Sequence, residues 1–365
     1  MDQVTRRSQD ETGTPRMARA KPATQWVIIL IPSAIVAIVL ELAGIPAALL
    51  IGPMLAAIAA GVSGSTVRVP RPAFGIAQGV IGCLIANSIS ADIFGLLYTH
   101  WLPILSAVMA TLAASVFLGW LISRWRILPG TTALWGSAPG AAAAMVLMAG
   151  AFGADQRLVA VMQYLRVIII SVSASLVASL WIDTSQMAAP DVIWFPTPGP
   201  TLLAALAVAA VGSSLGQILR LPSPFFLGPL IIGMALHLGA GLVFDLPPWL
   251  LGLSYALIGL HIGLGFTRQA LQHAMRALPQ ILASIAVLLA FCGALGWLMS
   301  RALGIDPMTA YLATSPGAME TIAIIAATTD NVDVAFVMAL QTTRFMIVLL
   351  AGPPLTRLFA RRMTT

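Results

Sequence analysis

Charge is what this chain has least of: 9% of its 365 residues are Asp, Glu, Lys or Arg, against about 25% in a soluble globular domain. That scarcity excludes an ordinary soluble fold. Cysteine is nearly absent too, with only Cys83 and Cys292, both inside apolar runs, so no disulfide framework is available and the two read as small packing residues. The four histidines, His100, His237, His261 and His273, have no ligand spacing such as HxxxH, which argues against a metalloenzyme and predicts no bound cofactor. No phosphate-cradling ATP motif occurs, and no alternation of apolar and polar residues marks barrel strands. Nor is there a cleavable signal peptide. The first 24 residues are polar, carry Arg6, Arg7, Arg16, Arg19 and Lys21 and lack an apolar centre, so they read as a disordered cytoplasmic tail before an uncleaved insertion signal.

What the chain has in abundance is hydrophobic residues, at 59%. They form runs near the ~20 residues needed to cross a bilayer as a helix. Twelve segments can be drawn, at 26–43, 47–62, 73–90, 101–123, 131–151 and 159–182, then 200–219, 225–243, 249–266, 279–299, 308–327 and 334–352. The expected organisation is a tail (1–24), a first membrane repeat (25–184), a Pro-containing linker (185–199), a second repeat (200–356) and a second tail (357–365). The fold class is therefore all-α and polytopic. The net charge of +6 points to no nucleic-acid partner, because its basic residues sit in short loops and tails, as the positive-inside rule requires.

The two halves repeat one polar frame. Ser137-Ala138-Pro139-Gly140, Asp155, Gln163 and Arg166 are matched 177 to 178 residues later by Thr314-Ser315-Pro316-Gly317, Asp333, Gln341 and Arg344. Pro46 with Gly52-Pro53 matches Pro222 with Gly228-Pro229, and Ile81-Gly82 matches Ile258-Gly259. Collinear anchors at nearly constant offset indicate a duplication. If every segment crossed, loop arginines would show no side preference. If the fifth segment of each half enters and leaves on one side, Arg68, Arg71, Arg124, Arg126, Arg157, Arg220, Arg268 and Arg276 all fall inside and Arg301 alone outside. That arrangement satisfies the positive-inside rule. It gives each half five crossings plus one broken or re-entrant element, places both termini in the cytoplasm and makes the halves inverted, the architecture of secondary transporters.

Arg166 and Arg344 are costly within apolar segments, at roughly 2.5–3.5 kcal/mol each near a helix centre. Two roles fit them. Either they contact an anion, which a planar guanidinium suits, or each locks its own Pro-Gly break by capping carbonyls or pairing with Asp155, Asp333 or Glu320. Ser137, Gly140, Ser315 and Gly317 form tips that resemble helix N-termini, where unpaired amides favour anions. With Gln163 and Gln341 they complete the expected substrate contacts. Glu320 has no counterpart, since Ala143 occupies the matching position. With Asp155 and Asp333 it is a candidate group for coupling to a proton or sodium ion. His261 reads as a packed histidine, Gln78, Asn87 and Ser88 as path-lining or interhelical groups, and Glu41 as an interfacial residue.

These residues, above all the doubled Pro-Gly … Asp … Gln-x-x-Arg pattern with Gly52-Pro53 and Gly228-Pro229, resemble the AbrB-type membrane protein family over about residues 26–356. The resemblance implies an internally duplicated bacterial inner-membrane protein. Members are labelled ammonia monooxygenases or regulators of gene expression; the first label lacks the metal ligands it needs here. The function expected is non-enzymatic: transport of a small anionic or zwitterionic metabolite by alternating access, with a membrane-bound sensor or regulator as the alternative.

Overall fold

The computed structural model describes residues 16–363 apart from 44, 46, 88, 90–91, 126–127, 129–130, 141, 182–193, 197–198, 222, 318–321, 323–325 and 327–331. Glu320, Ser88, Pro46, Pro222 and most of the linker and the first tail thus lie outside the described residues, which form helices and no strand. After a 3-10 turn at Arg16–Arg19 come α1 (Pro22–Leu42), α2 (Ala48–Val62), α3 (Arg71–Asn87), α4 (Asp92–Arg124), α5 (Thr132–Ser137), α6 (Ala142–Ala151) and α7 (Gln156–Trp181). The second half follows with α8 (Pro200–Ile218), α9 (Pro224–Ala240), α10 (Pro248–Leu264), α11 (Arg268–Leu303), α12 (Pro307–Thr314) and α13 (Val334–Met363).

Among the described residues, five stretches are long and apolar enough to cross a membrane: Pro22–Leu42, His100–Arg124, Pro200–Ile218, Arg268–Leu303 and Val334–Gly352. Their outer faces keep many large apolar side chains exposed, Ile31, Ile38, Leu203 and Val287 among them, a pattern water would penalise and lipid does not. The apolar segment drawn at 101–123 extends back to Asp92, with non-helical backbone at His100. Pro103 causes that kink, because its ring cannot donate to and crowds the carbonyl four residues before it. The segment at 131–151 is two helices, α5 and α6, interrupted between them, and the one at 308–327 is likewise interrupted after α12.

The chain divides into two units. The first holds residues up to Ala77 with Gly252–His273; the second holds Gln78–Leu251 with Ala274 onward. In the first, α1 and α2 form a hairpin close enough that a Cβ on Gly52 would lie 2.5 Å from Ala37 Cα. The later α10 joins them, with a Cβ on Gly263 reaching within 2.6 Å of Ala57 Cβ. In the second unit, α8 and α9 form the corresponding hairpin, where a Cβ on Gly212 would lie 2.6 Å from Pro229 N. Here α3 supplies the third helix, with a Cβ on Gly82 only 2.7 Å from Phe226 O. Glycine permits these backbone contacts, which substitute for hydrophobic driving force where the solvent is lipid.

The same second unit holds two apolar clusters, each joining a long helix to a broken one. Ile104 and Val108 of α4 pack with Ala310, Leu312, Phe336 and Leu340. Ile281 and Ile285 of α11 pack with Ala133, Leu158 and Met162. Each long helix thus supports the broken helix of the opposite half.

Gly228→Ala drives a methyl into the Gly212 carbonyl oxygen. It should destabilise the protein by about 1–3 kcal/mol, read as a lowered melting temperature in detergent. Gly239→Ala, with nothing near its Cβ, should leave melting unchanged or raise it slightly.

Candidate functional site: two broken helices held by Gln-x-x-Arg

Each break begins at a residue preceding proline. Ala138 (φ −58°, ψ 124°) leaves α5 and Ser315 (φ −59°, ψ 128°) leaves α12, both in the extended conformation that a following Pro imposes. The last turn still closes locally: Ala138 N donates to Leu134 O at 3.1 Å and Ser315 N to Tyr311 O at 2.9 Å. Beyond that, the terminal carbonyls of each short helix have no helical partner.

Side chains from the next long helix supply those partners. In α7, Gln163 Nε2 donates to Trp135 O (2.8 Å) and Ala138 O (3.0 Å). One turn on, Arg166 Nη1 donates to Ser137 O (2.9 Å) and Ala138 O (3.1 Å), and its Nη2 donates to Gln163 Oε1. In α13, Gln341 Nε2 donates to Leu312 O (2.9 Å) and Ser315 O (3.0 Å). Arg344 donates through Nη1 to Thr314 O (3.2 Å) and through Nη2 to Ser315 O (3.1 Å) and Gln341 Oε1. A spacing of three puts Gln and Arg on one helix face, and a cation at a helix C-terminus is favoured by the macrodipole. All four side chains are at most 2% exposed.

Of the two roles open to the arginines, the geometry is that of carbonyl caps. Among the described residues, neither arginine forms an ion pair with the repeated aspartates. Asp155 receives Arg157 Nε at 3.0 Å and Nη2 at 2.9 Å, and Asp333 Oδ1 accepts from Phe336 N at 2.9 Å. Each aspartate instead ties its loop to the start of the broken helix by its amide, Asp155 N to Thr132 Oγ1 (3.1 Å) and Asp333 N to Thr309 Oγ1 (3.0 Å). The Ser137 hydroxyl turns back to Ala133 O at 2.8 Å, so this residue joins the cap through its carbonyl. Among the described residues, Ser315 Oγ is buried without a hydrogen-bond partner, as is the Nε of both Arg166 and Arg344. Gly140 and Gly317 are buried, and a Cβ on Gly317 would come 3.2 Å from Ile170 Cγ2 of α7.

Sequence reasoning missed Thr132 with Thr309, and Gly119 with Gly296, the glycines of α4 and α11 that leave room for the Ser137 and Thr314 hydroxyls. Both pairs are 177 residues apart, so extending the repeat frame would have found them. Outside the breaks, Asn87 both donates to Phe244 O and accepts from Phe244 N (3.0 Å). Gln78 accepts from Ser223 Oγ at 3.2 Å. These are inter-element hydrogen bonds, and His261 is stacked on Phe74 at 3.8 Å between ring centroids. Glu41 is exposed near the end of α1.

Burial opposes ionisation of Asp155, but the hydrogen bond and charge of Arg157 and the amides of Arg157 and Leu158 outweigh it, and its carboxyl stays below the usual range. A depressed carboxyl stabilises the fold above its unfolded value of about 3.9, and that stabilisation is lost as the pH falls below it. Asp155→Asn should therefore flatten the loss of thermal stability between about pH 5 and pH 3. Gln163→Leu strands Trp135 O and Arg166 Nη2, while Ala138 O keeps its bond from Arg166 Nη1; Gln341→Leu strands Leu312 O, while Ser315 O and Arg344 Nη2 keep their mutual bond. Each should cost about 1–3 kcal/mol, seen as a fall in melting temperature in detergent.

No solved structure matches the chain. A protein of Escherichia coli K12 named "Putative regulator AbrB" is 44% identical over 337 residues, covering 92% of this chain and 97% of that protein. One of Bacillus subtilis 168, "Uncharacterized protein YhjN", is 24% identical over 298 residues, 78% of this chain and 77% of its own length. The profile of the family described as "Transition state regulatory protein AbrB" matches residues 49–360. The chain belongs to the AbrB family.

Proposed function

We propose that this protein is a secondary transporter that moves a small anionic metabolite by alternating access between two inverted halves, without covalent chemistry. The observation that carries the reading is the pair of interrupted helices, each capped at buried carbonyls by its own Gln-x-x-Arg. Irregular backbone at membrane depth is tolerated where it is enclosed in protein or lines a watered cavity, and transporters place substrate at such breaks. The reciprocal packing of α4 on the second half and α11 on the first supports a two-fold relation between halves. The loop arginines favour an axis in the membrane plane, with both termini in the cytoplasm of a bacterial inner membrane.

In this reading Arg166 and Arg344 hold the breaks, and substrate meets the tips around Gly140 and Gly317. Glu320 remains the candidate coupling group, for a proton or a sodium ion. The regulatory name of the relative fits an indirect effect of metabolite movement, and no specific contact favours a sensor.

The test is uptake of labelled small anionic metabolites into proteoliposomes under an imposed proton or sodium gradient. Gradient-driven accumulation is expected, and Glu320→Gln should change its pH or sodium dependence. Binding without accumulation would replace transport with sensing. An unaltered rate and ion dependence in Glu320→Gln would remove that residue from coupling.

A further inference from the structure

One end of the first unit gathers cations. Gln25, buried in the first turns of α1, donates to Ala20 O (2.9 Å) and Thr66 Oγ1 (3.1 Å) and accepts from Ser65 Oγ and Thr66 N (both 3.0 Å). This sews the start of α1 to the loop that leads into α3. A Cβ on Gly61 would lie 2.8 Å from Phe266 O, which brings the end of α10 and the start of α11 to the same place. Lys21, Arg68, Arg71 and Arg268 are all exposed there. Arg68 is held by its Nη1 bonds to Ser65 O (3.0 Å) and Val67 O (2.8 Å). The side chains of Trp26, Val67, Val69 and Phe74 pack in one apolar cluster beneath.

Three of these cations sit at helix starts: Lys21 immediately precedes α1, Arg71 opens α3 and Arg268 opens α11, and none of these helices has an acid in its first turn. A cation at the positive end of a helix dipole is disfavoured, so the fold gains nothing from them. Among the described residues of this unit the only acid is Glu41, at the far end of α1. Two of the matching positions of the other half reverse the sign, Arg68 corresponding to Asp245 and Arg268 to Asp92, 177 and 176 residues away, and a third is neutral, Arg71 corresponding to Pro248. Packing requirements would recur at both places. The positive charge does not.

We propose that this end of the unit binds the headgroups of anionic phospholipids. Arginine suits a phosphate diester through paired N–H donors, and unpaired amides at helix starts add to the attraction. Clustered basic residues at a membrane surface draw anionic lipid. A lipid fits better than free phosphate because Val27, Ile28, Leu30 and Ile31, about two to three turns along α1 from Lys21, are about half exposed and offer an apolar wall to acyl chains. This inference does not depend on the transport reading.

The test uses the full chain in neutral detergent, with thermal unfolding followed against dioctanoyl-phosphatidylglycerol, dioctanoyl-phosphatidylcholine and inorganic phosphate at equal ionic strength. A saturable rise in melting temperature is expected with phosphatidylglycerol alone. The triple variant Arg68→Gln, Arg71→Gln, Arg268→Gln should weaken it at least about tenfold, whereas Asp92→Asn with Asp245→Asn should retain it. If the triple variant lacks a cooperative transition, the three single variants are measured, each expected to weaken the effect. Equal response to both lipids, a shift reproduced by phosphate, or undiminished response in the arginine variants would overturn the proposal.

Discussion

The capping of carbonyls by Gln-x-x-Arg is the interaction on which both interrupted helices depend. A helix that stops inside protein leaves carbonyls unpaired, and each uncompensated group costs on the order of several kcal/mol away from water. Proline forces the stop at Ala138 and Ser315. The guanidinium and amide then satisfy the resulting acceptors from a single face of α7 or α13. Removing either partner would leave buried polar groups on both sides of the contact.

The rest of the architecture makes room for that arrangement. Gly119 and Gly296 let the long helices approach the ends of the broken ones, while Ile104 and Ile281 carry apolar contacts across to the opposite half. Thr132 and Thr309 tie the first turns of the broken helices to the aspartate loops. Small residues do equivalent work in the two hairpins, where glycines at 52, 212 and 228 remove the side chain that would hold the backbones apart.

The family and the helical class could be read from residues alone, because apolar length and a repeated polar frame leave marks that need no coordinates. Gln163, Arg166, Gln341 and Arg344 were identifiable for the same reason: charge inside an apolar run is costly and stands out. Their partners were not. Carbonyl oxygens belong to every residue and carry no signature, so an anion contact and a backbone cap were equally compatible with a buried arginine. The aspartates looked like counter-ions by spacing, yet Asp155 turns to Arg157 and Asp333 to its own helix start.

By itself the sequence determined that this chain is helical with several stretches apolar enough to cross a membrane, that its polar frame occurs twice, and where proline interrupts the fifth segment of each half. Those properties follow from hydropathy, spacing and the geometry of a proline ring, all local along the chain. Only tertiary structure decided which groups the arginines touch, that each half lends a long helix to the other's broken one, and that the start of α1, the loop before α3 and the loop before α11 come together at one end of a unit. Those are outcomes of packing between segments far apart in sequence, where the choice of partner depends on which donors and acceptors are left unpaired once the helices have met.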